Sequence, residues 1–485
     1  MVVDDLELLP ADPTRIPNGQ ARQVAAGHPD SHLQNRQPMH WQTVWGTQSF
    51  PQELINTTID YLQHDKAALQ KCSLVHPMWL DTARFHLFRS LRISNAPQNT
   101  MSKRKEAAMP KNFQAFLAFI SYEASEGFCT SVRTLFMIGD EKDQDRDTRT
   151  PVDTQMLASI LMKLPQLRVL DLQRVRFQER GFLTSHIPAT RFRLDMLSLN
   201  FVGSREDPLS SLLGILGLFS QLGMLRVSYI DGLRESADVV SLRNPSIAAL
   251  ASHLKVVRAS LKGWQGAIQF PTVQVFLDLM RKSETVHTLQ WLEVKCNIMR
   301  EVDALGKFLE EAGTNLQHLA VDISELFRSQ NEPTKIVDAL HILDCHNLLS
   351  LRICLFPNLL NPVGNEVALV DRASDCLAKM LSVITPTMRR VTFVLGYNDM
   401  PLEACKLIKW EMIQDVKWER FPDLELVTIG LMPRHSDRLT EINARDHIRG
   451  RMPSLHSRGL LHFEAMTFWD ESIAPSLLRK AAARR

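Results

Sequence analysis

A short pattern, apolar-x-x-apolar-x-apolar, recurs through most of this chain. Its units are Val132, Leu135 and Met137; Leu167, Leu170 and Leu172; Leu194, Leu197 and Leu199; Leu222, Leu225 and Val227; Leu254, Val257 and Ala259; Leu289, Leu292 and Val294; Leu316, Leu319 and Val321; Leu348, Leu351 and Ile353; Met388, Val391 and Phe393; and Leu424, Val427 and Ile429. Two residues at spacing two share one face of a strand, so each unit predicts a short strand with one buried face. Successive units lie 27 to 40 residues apart, and the intervals hold helical patterns over 273–281, 302–311, 336–343, 367–384 and 402–418. In the fourth of these, Val370, Ala373, Leu377, Met380, Leu381 and Ile384 form one stripe suited to covering the strands. The rhythm breaks at 140–151, 331–333 and 357–365; the first break is densely charged and reads as an exposed loop.

Strand then helix, repeated, predicts an α/β array with parallel strands on a concave side and helices on a convex side. One repeat cannot hide its own faces, so the array needs stacking and a cap at each end. The helix carrying Phe113, Phe116, Leu117 and Ile120 suits one end, and 460–469 the other. A non-repeat α/β domain whose strands share the core pattern is the alternative.

A different grammar governs 50–94. Pro51 suits the first turn of a helix that carries Leu54, Ile55, Ile59 and Leu62. Asp65 can cap a second helix with Ala68, Leu69 and Cys72, and Pro77 opens a third with Trp79, Leu80 and Ala83. Three helices in so short a segment cannot enclose all their apolar side chains, so some need another surface.

The order Phe50-Pro51-Gln52-Glu53-Leu54-Ile55, then Ile59 and Leu62, then Cys72-Ser73-Leu74-Val75 and Trp79, resembles the F-box. Phe50 stands where that family more often has Leu, and His76 where Cys is frequent. The run Arg84 to Arg89 is similar to the segment after the F-box in many fungal members, and the recurrent strand pattern is similar to an irregular leucine-rich repeat. An unrelated three-helix packing unit is the alternative.

The resemblance implies a substrate-recognition subunit of a Skp-cullin-F-box ubiquitin ligase. The F-box would hold the Skp-type adaptor through Phe50, Pro51, Leu54, Ile55, Leu74, Val75 and Trp79, and through it a cullin-RING ligase. The repeats would hold an unknown protein substrate, and a repeat scaffold acting outside ubiquitination is the other reading. The expected organisation is an unstructured lead-in at 1–45, the F-box at 46–94, a connector and capping helix at 95–130, the solenoid at 131–470 and a basic tail at 471–485.

Composition narrows the classes further. Apolar residues make up 45% and charged residues 23% of the 485, with a formal charge of +2, so nothing chain-wide points to nucleic acid or a membrane surface. The seven cysteines form no CxxC pair and sit among apolar neighbours, which suits reduced thiols in the cytoplasm or nucleus. No secretory signal and no spanning apolar run is expected. Trp41 and Trp45 are the large side chains of an otherwise polar lead-in.

No Walker loop, dinucleotide fingerprint, nucleophile elbow or zincin motif occurs, so neither a catalytic residue nor a cofactor is expected. His341, Asp344, Cys345 and His346 are the tightest metal-capable set, but their spacing reaches round a helix and suits a helix end. Side chains alternate along a strand, so the positions between core residues face the concave side. These are Asp171, Ser198, Arg226, Arg258, Trp291, Glu293, His318, Arg352, Arg390 and Thr392. Their arginines predict a face that prefers an acidic or phosphorylated segment.

Overall fold

The computed structural model describes residues 51–94, 111–139, 150–178, 191–200, 202–203, 208–228, 230–231, 252–262, 272–329, 332–354, 366–396, 405–432 and 438–465. Phe50, Trp41, Trp45, the polar lead-in, the connector at 95–110, most of the insertions at 140–151 and 357–365, and the basic tail lie outside the described residues.

Three helices open it: α1 (Gln52–Tyr61), α2 (Lys66–Val75) and α3 (Pro77–Phe88). Asp65 caps α2 by accepting the Ala68 N–H at 2.9 Å, and His76 caps α3 by accepting the Met78 N–H through Nδ1 at 3.1 Å. Ile55, Ile59, Leu69, Cys72 and Ala83 form a small core of their own, with Leu62, Trp79 and Leu87 packed on it. Two polar links tie α1 to α3: Thr82 Oγ1 donates to Asn56 Oδ1 at 2.7 Å, and His86 Nε2 lies 2.7 Å from Asp60 Oδ1.

Directly after α3, Ser90–Ser94 forms β1, the first strand of a twelve-stranded parallel sheet. In chain order its other members are β2 (Thr134–Ile138), β4 (Val169–Gln173), β6 (Phe192–Asn200), β8 (Phe219–Val227), β10 (Lys255–Lys262), β11 (Trp291–Lys295), β12 (His318–Asp322), β13 (Ser350–Cys354), β14 (Arg390–Gly396), β15 (Leu426–Met432) and β16 (Leu461–Ala465). Each strand pairs with the one before it, so the sheet order follows the chain order. Four very short strands, β3 (Thr150–Val152), β5 (Val175–Phe177), β7 (Val202–Gly203) and β9 (Ile230–Asp231), make a second parallel sheet.

Register aligns the recurrent apolar pairs. Leu91, Leu135, Leu170, Leu197, Leu225, Ala259, Leu292, Leu319, Leu351, Val391, Val427 and Leu461 stand side by side, and the residues two places further on form a parallel row from Ile93 to Phe463. These rows share one continuous core with the buried sides of helices Thr154–Lys163, Pro208–Gly217, Thr272–Arg281, Met299–Ala312, Pro333–Ala339 and Glu366–Val383. All six residues of the stripe from Val370 to Ile384 are buried, and Phe113 and Ile120 bury from helix Lys111–Ser121.

Several expectations are corrected. In β10 the paired core positions are Ala259 and Leu261, two places beyond Val257 and Ala259. The break at 140–151 ends not as a loop but in β3, with Thr150 buried. No single helix runs through the described part of 402–418: helical residues 405–407, helix Trp410–Gln414 and a 3₁₀ turn at Trp418–Arg420 follow one another, and the buried Trp410 and Trp418 indoles donate to the Cys405 and Ile413 carbonyls at 2.8 and 3.0 Å. Helix Pro333–Ala339 stops short of 343 because His341 takes φ 47° ahead of a 3₁₀ turn. Among the described residues no helix is long and apolar enough to cross a membrane.

Candidate functional site: an apolar helical surface and a charged sheet face

Two surfaces carry side chains that the two cores leave unused. The first lies on α1 to α3. Leu54 is 50%, Leu74 87% and Val75 65% exposed, and Tyr61 and Met78 are exposed beside them in sequence. Pro51 is exposed and Trp79 half-buried. Ile55 differs from the expectation that it faces a partner: it turns inward and fills the small core with Ile59. The cause is helical geometry, since Ile55 and Ile59 are four residues apart and share a stripe that Leu54 leaves. The end of α2 and the start of α3 thus present leucine and valine to solvent, as a segment too small to enclose its apolar residues must.

The second surface is the sheet face opposite the helices. Its rows follow the register, and the candidate residues separate into two of them. Arg258, Trp291, His318, Ser350 and Arg390 stand in one row across five neighbouring strands. Asp171, Ser198, Arg226, Ser260, Glu293, Ala320, Arg352 and Thr392 stand in the next.

The second row is largely closed. Asp171 and Glu293 are buried, which corrects their reading as exposed contacts, and Arg352 is mostly withdrawn. Glu293 Oε2 accepts from Ser260 Oγ at 2.7 Å, and its other oxygen lies 3.9 Å from Lys262 Nζ. Two residues further along, buried Asp322 faces Lys295 Nζ at 3.6 Å and accepts from Ser324 Oγ at 2.6 Å. Burial holds the Arg352 guanidinium below its ordinary pKa, against the pull of Glu293 and Asp322. Burial likewise raises the Asp171 carboxyl, against hydrogen bonds from Gln173 and Ser198. Lys262, Lys295, Ser260 and Asp322 were not singled out from the sequence. They follow from the strand alternation once the register of β10 to β12 is known.

The first row stays open. Arg258, Trp291 and His318 are half-buried on adjacent strands, about 4.8 Å apart. Among the described residues none of the three has a side-chain hydrogen bond or ion pair. Burial, then the charges of Arg258 and Arg390, hold the His318 imidazole below its ordinary pKa. Arg390 reaches Glu425 at 3.3 Å. An arginine fork, an indole and an imidazole side by side offer donors and a flat apolar surface, a combination suited to an anionic side chain with an apolar neighbour.

Cys72, Cys129, Cys296, Cys345, Cys354, Cys376 and Cys405 are all buried and unpaired. Burial pushes the Cys345 and Cys376 thiols up to about 12, far from thiolate chemistry. His341 Nδ1 lies 3.5 Å from Asp344, while Cys345 is buried away from solvent. Among the described residues no group of three or more His, Cys, Asp or Glu side chains is arranged to hold a metal ion. No protein-family model matches the chain, and no curated protein matches it in sequence.

Proposed function

We propose that this protein is the substrate-recognition subunit of a Skp-cullin-F-box type ubiquitin ligase, with α1 to α3 as the F-box and the parallel array as an irregular leucine-rich-repeat solenoid. One observation carries the reading: the helical unit completes a core from Ile55, Ile59, Leu69, Cys72 and Ala83 yet leaves Leu54, Leu74 and Val75 in water. Solvent-exposed aliphatic side chains on α1 and at the α2–α3 junction, each worth about 1.5–3 kcal/mol when buried, suit a partner surface that covers them. The sheet face then takes the substrate, with Arg258, Trp291 and His318 as the accessible contacts and Arg226 and Arg390 flanking them. Such a subunit accelerates ubiquitin transfer by proximity alone, holding a substrate lysine near the loaded conjugating enzyme.

The test is co-purification of the full chain with a recombinant Skp-type adaptor. Wild type is expected to hold it, and Leu74→Asp with Val75→Asp to lose it at unchanged thermal stability, because both side chains are already solvated. Ile55→Asp is a poor probe, since it breaks the unit's own core. Failure of wild type to hold the adaptor, or full retention by the double variant, overturns the assignment. Adaptor binding without any change in the ubiquitination of co-purifying proteins identifies a scaffold instead.

A further inference from the structure

The residue just ahead of each strand forms a row of its own. Arg133 and Thr134 donate their N–H groups to the Arg89 carbonyl, each at 2.9 Å; Arg168 and Val169 donate to the Arg133 carbonyl at 2.8 and 3.0 Å; Asp195 and Met196 donate to the Arg168 carbonyl at 2.7 and 3.0 Å. The same linkage continues through Gln290, Gln317, Leu349, Arg389 and Glu425. Arg89, Arg133 and Arg168 therefore occupy equivalent positions on β1, β2 and β4, spaced by about 4.8 Å.

Like charges in register repel, and cross-strand pairs of one sign are destabilising. At the far end of this row the charges alternate, and Arg389 meets Glu425 at 3.8 Å. At the near end they do not: three cations face one carboxylate, with Arg168 Nη1 at 3.8 Å from Asp195. Arg89 and Arg133 make no side-chain hydrogen bond or ion pair among the described residues. Arg133 lays its guanidinium 5.4 Å from the Phe85 ring centroid, and its Nε is shut off from solvent without a hydrogen-bond partner. Phe85 on α3 thus fixes the middle arginine of the ladder. Burial and the charges of Arg168 and Arg89 both act against the Arg133 cation.

The geometry points to a binding site for an acidic peptide segment of a partner protein on the Arg89–Arg133–Arg168 ladder. Same-side residues of an extended peptide repeat every ~6.8 Å, so two alternating Asp or Glu side chains fit within the ~9.6 Å that the ladder spans. Guanidinium forks pair with carboxylates at two points, which a lone cation cannot do. The long polyanion of a nucleic acid is the poorer fit, because the ladder is short and the chain as a whole carries only +2. This inference does not rest on the ubiquitin-ligase reading. The ladder sits at the C-terminal end of α3, about 18 Å along that helix from Leu74 and Val75 at its other end.

The experiment uses the full chain and a fluorescein-labelled oligoglutamate peptide, followed by anisotropy at low and physiological salt. Wild type is expected to bind saturably, more weakly at higher salt. Arg133→Gln with Arg168→Gln is expected to weaken binding about tenfold or more, while leaving the melting temperature unchanged or raised as like charges are removed. Arg389→Gln, in the same row but at its far end, away from the three neighbouring arginines, is expected to bind as wild type does. Absence of saturable binding by wild type, an equal loss in Arg389→Gln, or a loss of melting temperature that accounts for the lost binding overturns the proposal. Tighter, equally variant-sensitive binding of an oligothymidylate of the same charge overturns the choice of a peptide.

Discussion

At the scale of single residues, the most consequential buried group is Glu301, at the start of helix Met299–Ala312. Its carboxylate accepts the Asn297 N–H at 2.6 Å, yet burial dominates and pushes its pKa up to about 7. In the unfolded chain an ordinary Glu titrates near ~4.3. Between those values the unfolded chain has released a proton that the folded chain keeps, so stability falls as pH rises through this window and is flat above it. Glu301→Gln keeps an oxygen for Asn297 and removes the ionisation. Relative to wild type, the variant is expected to gain on the order of 3 kcal/mol in going from pH 4 to pH 8, read from denaturant midpoints. A difference that does not change with pH sinks this assignment. Gly306 is a second case, where a Cβ added to the glycine would meet the Ala339 carbonyl oxygen at 1.7 Å. Two helices meet there at backbone distance, so Gly306→Ala is expected to cost about 2 kcal/mol or more in place of the gain that alanine brings to an open helix position. Thermal denaturation of the variant checks the sign.

At the scale of elements, the strands were legible and their register nearly so. Nine of the ten sequence units align as read, because a large apolar residue, leucine in seven of them, three places before the first paired core residue marks the approach to each strand. The slip at β10 has a plain origin: Leu254, Val256, Val257, Ala259 and Leu261 satisfy the pattern in two overlapping ways. A shift of two residues keeps every side chain on its face, so only the neighbours change. β1 hid inside the run after α3, although Phe88, Leu91 and Ile93 satisfy the pattern, and β16 has Arg458 where the leading apolar residue stands elsewhere. The strands of the second sheet are too short for any periodicity to register. Alternation found the open face but could not tell which of its charges are buried, since that depends on neighbours from other strands. Glu293 is the clearest example. It is 3% exposed between Ser260 and Lys262, and Glu293→Ala is expected to cost about 3 kcal/mol or more by withdrawing a carboxylate from buried cations. Glu311→Ala supplies the contrast: it removes an ion pair with Arg281 whose side chains are 41% and 29% exposed, so its cost stays below about 1 kcal/mol. Equal losses in the two variants count against a buried ionic network on β10 to β12.

At the scale of the whole molecule, each strand of the large sheet depends on its neighbours, because an array of stacked units gains its stability at the interfaces between them. Interior strands such as β11 and β12 are hydrogen-bonded on both sides, whereas β16 closes the order with β15 as its paired neighbour. β1 also ends the order, but it follows α3 without a break. Phe88 of α3 meets Phe128 edge-on at 5.0 Å, and Phe128 meets Phe119 at 5.1 Å, so one aromatic cluster ties the end of α3, just ahead of β1, to helices Glu126–Cys129 and Lys111–Ser121. β16 has a lighter anchor, Phe463, with the Arg445 and Arg449 guanidinium groups 5.9 and 5.2 Å from its ring centroid. Local opening should therefore run unevenly along the array. Hydrogen–deuterium exchange read by mass spectrometry is expected to find peptides from β10 to β13 the slowest and the β16 peptide at least about tenfold faster, with β1 exchanging in step with α3. Substituting Phe128→Ala loosens the aromatic joint and should speed exchange in both α3 and β1 while leaving β12 unchanged. Were β16 as protected as β12, or were α3 to exchange independently of β1, the helical unit would be a separate body strung onto the array, and the arginine ladder beneath Phe85 would lose the fixed position on which its binding role depends.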